Sequence, residues 1–133
     1  MPEKLPQTDH LFLLVGGNPL PNYVAARLLA KDDGVVYLLH TQASTGTFEI
    51  ADRLAKILRQ DCPRLKGVQL HQIHETDGFV IAEGVEKIAA KIPANQSVGL
   101  NYTGGTKPMT WHAARALDKN FDRGRVLHAT SSV

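Results

Sequence analysis

The stretch Asn101-Tyr102-Thr103-Gly104-Gly105-Thr106-Lys107-Pro108-Met109-Thr110 concentrates groups that can hold an anion. Gly104 and Gly105 let backbone N–H groups come close to a ligand. Thr103, Thr106 and Lys107 add side-chain donors, and a helix opening at Pro108 would place positive partial charge behind them. Two other stretches share this chemistry. Gly16-Gly17-Asn18 follows the first apolar run, and His40-Thr41-Gln42-Ala43-Ser44-Thr45-Gly46 follows the second. All three are rich in Gly, Asn and hydroxyls and lack acids, the composition of a phosphate cradle.

Known phosphate loops do not fit. A Walker loop needs Gly-x4-Gly-Lys-Ser/Thr, and Thr106 stands where the glycine before Lys107 should be. The first loop lacks Gly-x-Gly-x-x-Gly, so a dinucleotide reading also fails. Metal chemistry is not indicated. His10, His40, His71, His74, His112 and His128 form no His-Glu-x-x-His and have no Cys partner. Cys62 lies beside Pro63 at a helix end with only Arg64 as a basic neighbour, which does not make a reactive thiolate. No cofactor is expected.

The elements that must position these residues can be read from hydrophobic period. Continuous apolar runs at His10–Val15 and Val35–Leu39 predict strands buried on both faces. Gly67–Ile73 alternates and predicts a strand nearer an edge; Ser97–Tyr102 and Arg125–Thr130 complete five. Helix-period segments fall between them. Leu20–Lys31 carries Pro21 in its first turn, with Val24, Ala25, Leu28 and Leu29 as its stripe, and Asp32-Asp33-Gly34 breaks it. Thr47–Gln60 buries Ala51, Leu54, Ala55 and Leu58 and shows outward i,i+4 pairs Glu49–Arg53 and Asp52–Lys56. Phe79–Ile92 buries Ile81, Val85, Ile88 and Ile92. The fourth helix runs from Pro108 to about Lys119. Strict alternation implies a single α/β domain over residues 1–133: a Rossmann-like, doubly wound parallel sheet with helices on both faces. Ligands of such sheets bind beyond the carboxyl ends of the strands, where all three loops fall.

Structural roles compete with functional ones. Asn18 suits the cap of the first helix, and Ser44, Thr45 or Thr47 the cap of the second. Met109 and Trp111 read as core or dimer-contact residues in preference to a stacking platform. Glu83 and Glu86 read as solvated. Lys107 in a first turn opposes the helix dipole, which favours a ligand role.

Composition bounds the partners. Fifteen basic and thirteen acidic residues leave a net charge of only +2, too little to coat duplex nucleic acid. The single cysteine fits a reducing compartment. No run reaches the ~18 apolar residues of a membrane span, and Met1–Pro6 lacks the pattern of a signal peptide. A cytoplasmic protein without membrane partners is expected.

The 101–110 stretch resembles the signature loop of CARF domains (CRISPR-associated Rossmann fold), most of all those that head CRISPR nuclease effectors. Gly16-Gly17-Asn18, Thr41 and Ser44 fall where that family also holds ligand. The resemblance implies a homodimer that binds cyclic oligoadenylate, foremost cyclic tetraadenylate, across its two-fold axis. Ligand contacts would come from Gly16, Gly17, Asn18, Thr41, Gln42, Ser44, Thr45, Asn101, Thr103, Gly104, Gly105, Thr106 and Lys107. CARF proteins usually continue into a second module, whereas this chain ends at Val133. A stand-alone CARF domain resembles the ring nucleases, which end type III CRISPR signalling. These act without metal: a ribose 2′-OH attacks the adjacent phosphate and leaves a 2′,3′-cyclic phosphate. Lys107 and Thr106 would then stabilise the developing charge, Asn18 would orient the ribose, and His40 is the candidate base. The alternatives are a non-catalytic sensor and an unrelated Rossmann-like nucleotide binder.

Overall fold

A computed structural model of the chain describes residues 7–42, 46–74, 76–102, 104–120 and 126–129. The elements alternate as β1 (Thr8–Leu14), α1 (Leu20–Leu29), β2 (Ala30–His40), α2 (Phe48–Asp61), β3 (Gly67–Gln72), α3 (Gly78–Ala89), β4 (Val98–Asn101), α4 (Lys107–Asn120) and β5 (Val126–Ala129). The strands form one parallel sheet in the order β3-β2-β1-β4-β5. Strand order therefore reverses between β1 and β4.

The two-residue period of the strands divides the core. Leu11, Leu13 and Val15 of the first strand region, with Val36 and Leu38, pack under Ala25, Ala26 and Leu29 of α1 and Ala51, Leu54, Ala55 and Leu58 of α2. Phe12 and Leu14, with Tyr37, Leu39 and Leu100, pack under Ile81, Val85 and Ile88 of α3 and Met109, Ala113 and Leu117 of α4. The helices thus cover the sheet in pairs, α1–α2 on one face and α3–α4 on the other. Each continuous apolar run serves both layers at once. β3 is an edge strand, which is why it alternates: Val68 is buried while Gln69 and Gln72 are exposed.

α3 ends at Ala89, three residues short of the expected Ile92, and the largest departure from expectation is at the α1–β2 boundary. The sequence predicts that α1 runs to Lys31 and that Asp32-Asp33-Gly34 is a loop. Instead α1 ends at Leu29 and β2 begins at once at Ala30. Thr8 pairs with Ala30 and His10 with Val35, so extra residues bulge from β2 opposite β1. Asp33 takes φ 62°, a left-handed conformation that Asp tolerates better than most residues. The bulge is tied to the α2–β3 turn: Asp33 N–H donates to Arg64 O at 2.8 Å, and Lys66 N–H to Gly34 O at 2.9 Å.

Arg64 clamps the same corner. Its guanidinium donates to Arg27 O at 2.8 Å and Ala30 O at 2.6 Å, carbonyls at the end of α1, and lies 3.4 Å from Asp32 Oδ1. A cation at a helix carboxyl end is also stabilised by the helix dipole. Replacing Arg64 with Met keeps the stem but removes these donors. Urea unfolding should show a loss of about 1–3 kcal/mol for Arg64→Met; a variant as stable as wild type would show that the clamp contributes nothing.

Candidate functional site

Because every strand is parallel, the loops that leave their carboxyl ends share one edge of the sheet. The reversal in strand order falls between the β1 and β4 loops, the place where sheets of this kind offer a ligand crevice. There the two loops meet backbone against backbone. A Cβ on Gly16 would lie 2.5 Å from Gly104 O and 2.8 Å from Gly104 Cα. A Cβ on Gly104 would lie 2.5 Å from Leu14 O, and one on Gly105 would lie 2.6 Å from Leu14 Cδ1. Glycine at these positions is a packing requirement as well as a turn preference. Gly17, by contrast, has open space around it.

The β4 side supplies the charge. Thr106 caps α4: its Oγ1 accepts from Met109 N–H at 3.2 Å and its carbonyl from Thr110 N–H at 2.9 Å. Lys107 is the first residue of α4 and is exposed. It has no ion-pair partner among the described residues, and it sits at the positive end of the helix dipole. That placement is unfavourable for a cation and would be eased by an anion beside it. Asn101 is fully buried at the end of β4, paired with Leu13 and Ala129, and faces no open surface.

On the β1 side, Asn18 is exposed and lies one residue before the α1 cap, Pro19. Its Oδ1 accepts from Leu20 N–H at 3.1 Å, so it closes a local turn without capping the helix directly. Gly17 and Asn18 also border a groove of about 570 Å³ between α1 and α2, walled by Leu20, Tyr23, Ile57 and Arg53.

The β2 loop is used differently from expectation. Thr41 is buried, and its hydroxyl accepts from Thr47 N–H while Thr47 Oγ1 accepts from Thr41 N–H, both at 3.1 Å. These hydroxyls close their own loop, and Thr47 does not cap α2 with its side chain. Gln42 is exposed and, with Thr41, borders a separate cavity of about 140 Å³ toward β3. His40 is buried, donates from Nδ1 to Thr41 O at 2.8 Å and meets the Phe48 ring edge-on. It is enclosed by its own loop. Ser44, Thr45 and Thr103 lie outside the described residues. The structure thus brings Gly16 together with Gly104, and Gly105 against Leu14, with Gly17–Asn18 and Thr106–Lys107 continuing the two loops, while Thr41, Gln42 and His40 belong to the β2 side.

Two residues escaped the sequence reading. Asn22, in the first turn of α1, is fully buried and donates from Nδ2 to Leu14 O at 3.1 Å, at the crevice floor. Only its polar type in an apolar stripe could have flagged it. Arg53 reads as the solvated partner of Glu49, yet it lines the groove beside Asn18. Asp52–Lys56 does form, at 3.1 Å.

The remaining candidates have structural uses. His10 is held between Tyr37 OH, 2.8 Å from Nδ1, and Gln96. His71 pairs with Gln69. Burial first, then Lys91 and His40, push the His71 imidazole below the usual histidine range. His74 lies beyond the end of β3 and accepts from Thr76 and Asp77 N–H. Met109 is core, but Trp111 is 59% exposed with Arg115 over its ring. Glu83 pairs with Lys87, whereas Glu86 reaches Lys119 on α4 and so faces that helix. Among the described residues no helix is long and apolar enough to cross a membrane.

No protein-family model matches the chain, and no curated protein does. Solved structures do. Can2 from Sulfobacillus thermosulfidooxidans, in complex with cyclic tetra-adenylate, is similar with a TM-score of 0.67 and 22% identity over 85% of this chain. The flavohemoglobin of Malassezia yamatoensis, with bound FAD and heme, is similar with a TM-score of 0.50 and 16% identity over 96% of this chain. At these identities the likeness is one of fold. The chain spans 30% of the length of the first protein and 33% of the second.

The glycine floor gives a paired test. Gly104→Ala must drive the β4 loop off Leu14 and Gly16, and thermal unfolding should report a loss of about 1–3 kcal/mol. Gly17→Ala meets nothing within 4 Å and should stay within about 0.5 kcal/mol of wild type. Equal stability of the two variants would contradict the contact.

Proposed function

We propose that the chain binds a cyclic oligoadenylate, foremost cyclic tetraadenylate, in the β1–β4 crevice. Two copies related by a two-fold axis each hold half of the ring and cleave it as a metal-independent ring nuclease. The observation that carries this reading is the pairing of a side-chain-free floor, Gly16 against Gly104, with an uncompensated Lys107 at the amino end of α4. A phosphodiester needs both close backbone N–H groups and a cation. The fold likeness to Can2, a protein held with that ring, and the resemblance of the 101–110 loop to CARF domains supply the ligand class.

The geometry refines the roles. Lys107 and the N–H groups of Gly104 and Gly105 face the developing charge on the phosphate, preorganised before the ring arrives. Thr106 acts through the helix it caps and holds the dipole in place. Asn18 holds the β1 loop open toward the groove between α1 and α2, whose apolar wall and Arg53 suit an adenine face. His40 is too enclosed to serve as base in this arrangement. The reaction then relies on alignment of the 2′-OH, the phosphorus and the leaving 5′-oxygen.

A second reading is favoured by one observation: His40, the candidate base, is buried and hydrogen-bonded within its own loop, which suits a sensory module that binds the ring and leaves it intact.

Incubation with labelled cyclic tetraadenylate in EDTA separates the two. The enzyme reading expects linear products ending in 2′,3′-cyclic phosphate. Tight binding of an unchanged ring expects the sensor, and absence of binding refutes both. Lys107→Ala should weaken binding at least about tenfold, the worth of a charge-assisted hydrogen bond; wild-type affinity in that variant would remove Lys107 from the site.

A further inference from the structure

The α3–α4 face of the sheet turns polar at its β3 edge. Tyr37 and Leu39 of β2 belong to the core of that face, and their register partners on β3 are Gln69 and His71. In a parallel pair, residues in register share a face. A cavity of about 490 Å³ lies there between β3 and α3. Tyr37, Ile73 and Ile88 give it apolar walls, and His71, Lys87 and Lys91 give it charge. Gly84 also lines it from α3. A Cβ on Gly84 would meet only Ile73 Cγ2, at an ordinary 3.6 Å. Packing therefore does not demand glycine in mid-helix, where it weakens the helix, and its lack of a side chain widens the cavity.

Each polar residue alone has a structural reason. Edge strands carry polar side chains, and lysines suit the carboxyl end of a helix. Their convergence without an acid does not follow from either. Among the described residues no carboxylate lines the cavity. Lys87 reaches Glu83 at 3.6 Å, but Lys91 has no ion-pair partner among the described residues. Lys91 also acts on His71, helping burial to hold its imidazole below the usual range. His71 Nε2 lies 2.9 Å from Gln69 Oε1, an acceptor, so Nε2 carries the hydrogen and Nδ1 is left over. We propose that this cavity binds a small phosphate monoester, with its phosphate among Lys91, Lys87 and His71 and its organic body against Tyr37 and Ile73. Two ammonium groups and an imidazole that can take a proton suit a dianion better than a single carboxylate. The volume falls in the roughly 300–1,000 Å³ range of small-molecule sites and exceeds what a bare phosphate fills. None of the β1–β4 loop residues lines this cavity, so the proposal stands apart from the ring-binding function.

The test follows the imidazole resonances of His71 by NMR in the full chain, at fixed ionic strength, with adenosine 5′-monophosphate as the probe. Adenosine and inorganic phosphate are titrated in parallel, and the spectrum of His71→Gln gives the assignment. The monophosphate should shift His71 saturably and raise its pKa, because an anion favours the charged imidazole. Inorganic phosphate should do the same more weakly, and adenosine should not raise the pKa. Lys91→Met should weaken monophosphate binding at least about tenfold, the worth of a hydrogen bond to a charged group. Lys56→Met, on α2 at the opposite face, should bind as wild type. A His71 unmoved by the monophosphate overturns the proposal, as does wild-type affinity in Lys91→Met. An equal loss in Lys56→Met would reduce the effect to net charge and overturn it too. Inorganic phosphate binding as tightly as the monophosphate would overturn the role given to the apolar walls.

Discussion

Two stretches of backbone touch where β1 and β4 leave the sheet, and the rest of the site depends on that approach. The contact forms because neither Gly16 nor Gly104 has a side chain, and Gly105 must likewise stay clear of Leu14. It sets the distance between the two loops that flank the reversal in strand order. It also fixes where α1 and α4 begin, and so where their amino ends point. A larger residue at either contact position would move a loop, a helix start and a charged side chain together. Packing and chemistry are therefore not separable at this edge of the sheet.

Around this contact the polar side chains divide into those spent on the protein and those left over. Thr41 and Thr47 satisfy one another, Thr106 caps α4, Asn18 closes a turn, and His40 is enclosed by its own loop. What remains outward is a lysine at the wrong end of a helix dipole, a small unfavourable interaction that an anionic occupant would relieve. A loop rich in hydroxyls can thus look like a ligand cradle in composition while most of its donors hold the loop itself in shape.

The fold was largely legible because both layers of the core draw on the same continuous runs. Leu11–Val15 and Val36–Leu39 are apolar at every position, and that pattern has few solutions other than a strand covered on both sides. The alternation in Gly67–Gln72 likewise located an edge. The start of β2 was not legible. Lys31-Asp32-Asp33-Gly34 has the composition of a loop, and it is a bulge only because Arg64 and the turn after α2 hold it there from far along the chain. The candidate site was half legible. Glycine and lysine in residues 104–107 announce themselves through local chemistry. Asn22 and Arg53 do not, since a polar residue in a helix's first turn and a charge on an outer stripe look ordinary until neighbouring elements are in place. Thr41 failed for the converse reason: its partner, Thr47, lies across a loop whose closure no spacing reveals.

The division of the core has one more consequence. The α1–α2 layer and the α3–α4 layer share only the sheet between them, so each is a candidate unit of independent local opening. Their loops meet where β1 and β4 leave the sheet, and again where Thr41 and Gln42 face Ile73, His74 and Val80. An occupant between the β1 and β4 loops would bridge the two layers. Its binding free energy is then also a coupling free energy between halves of the molecule, and by reciprocity anything that braces one half raises the affinity with which the other closes on the ligand.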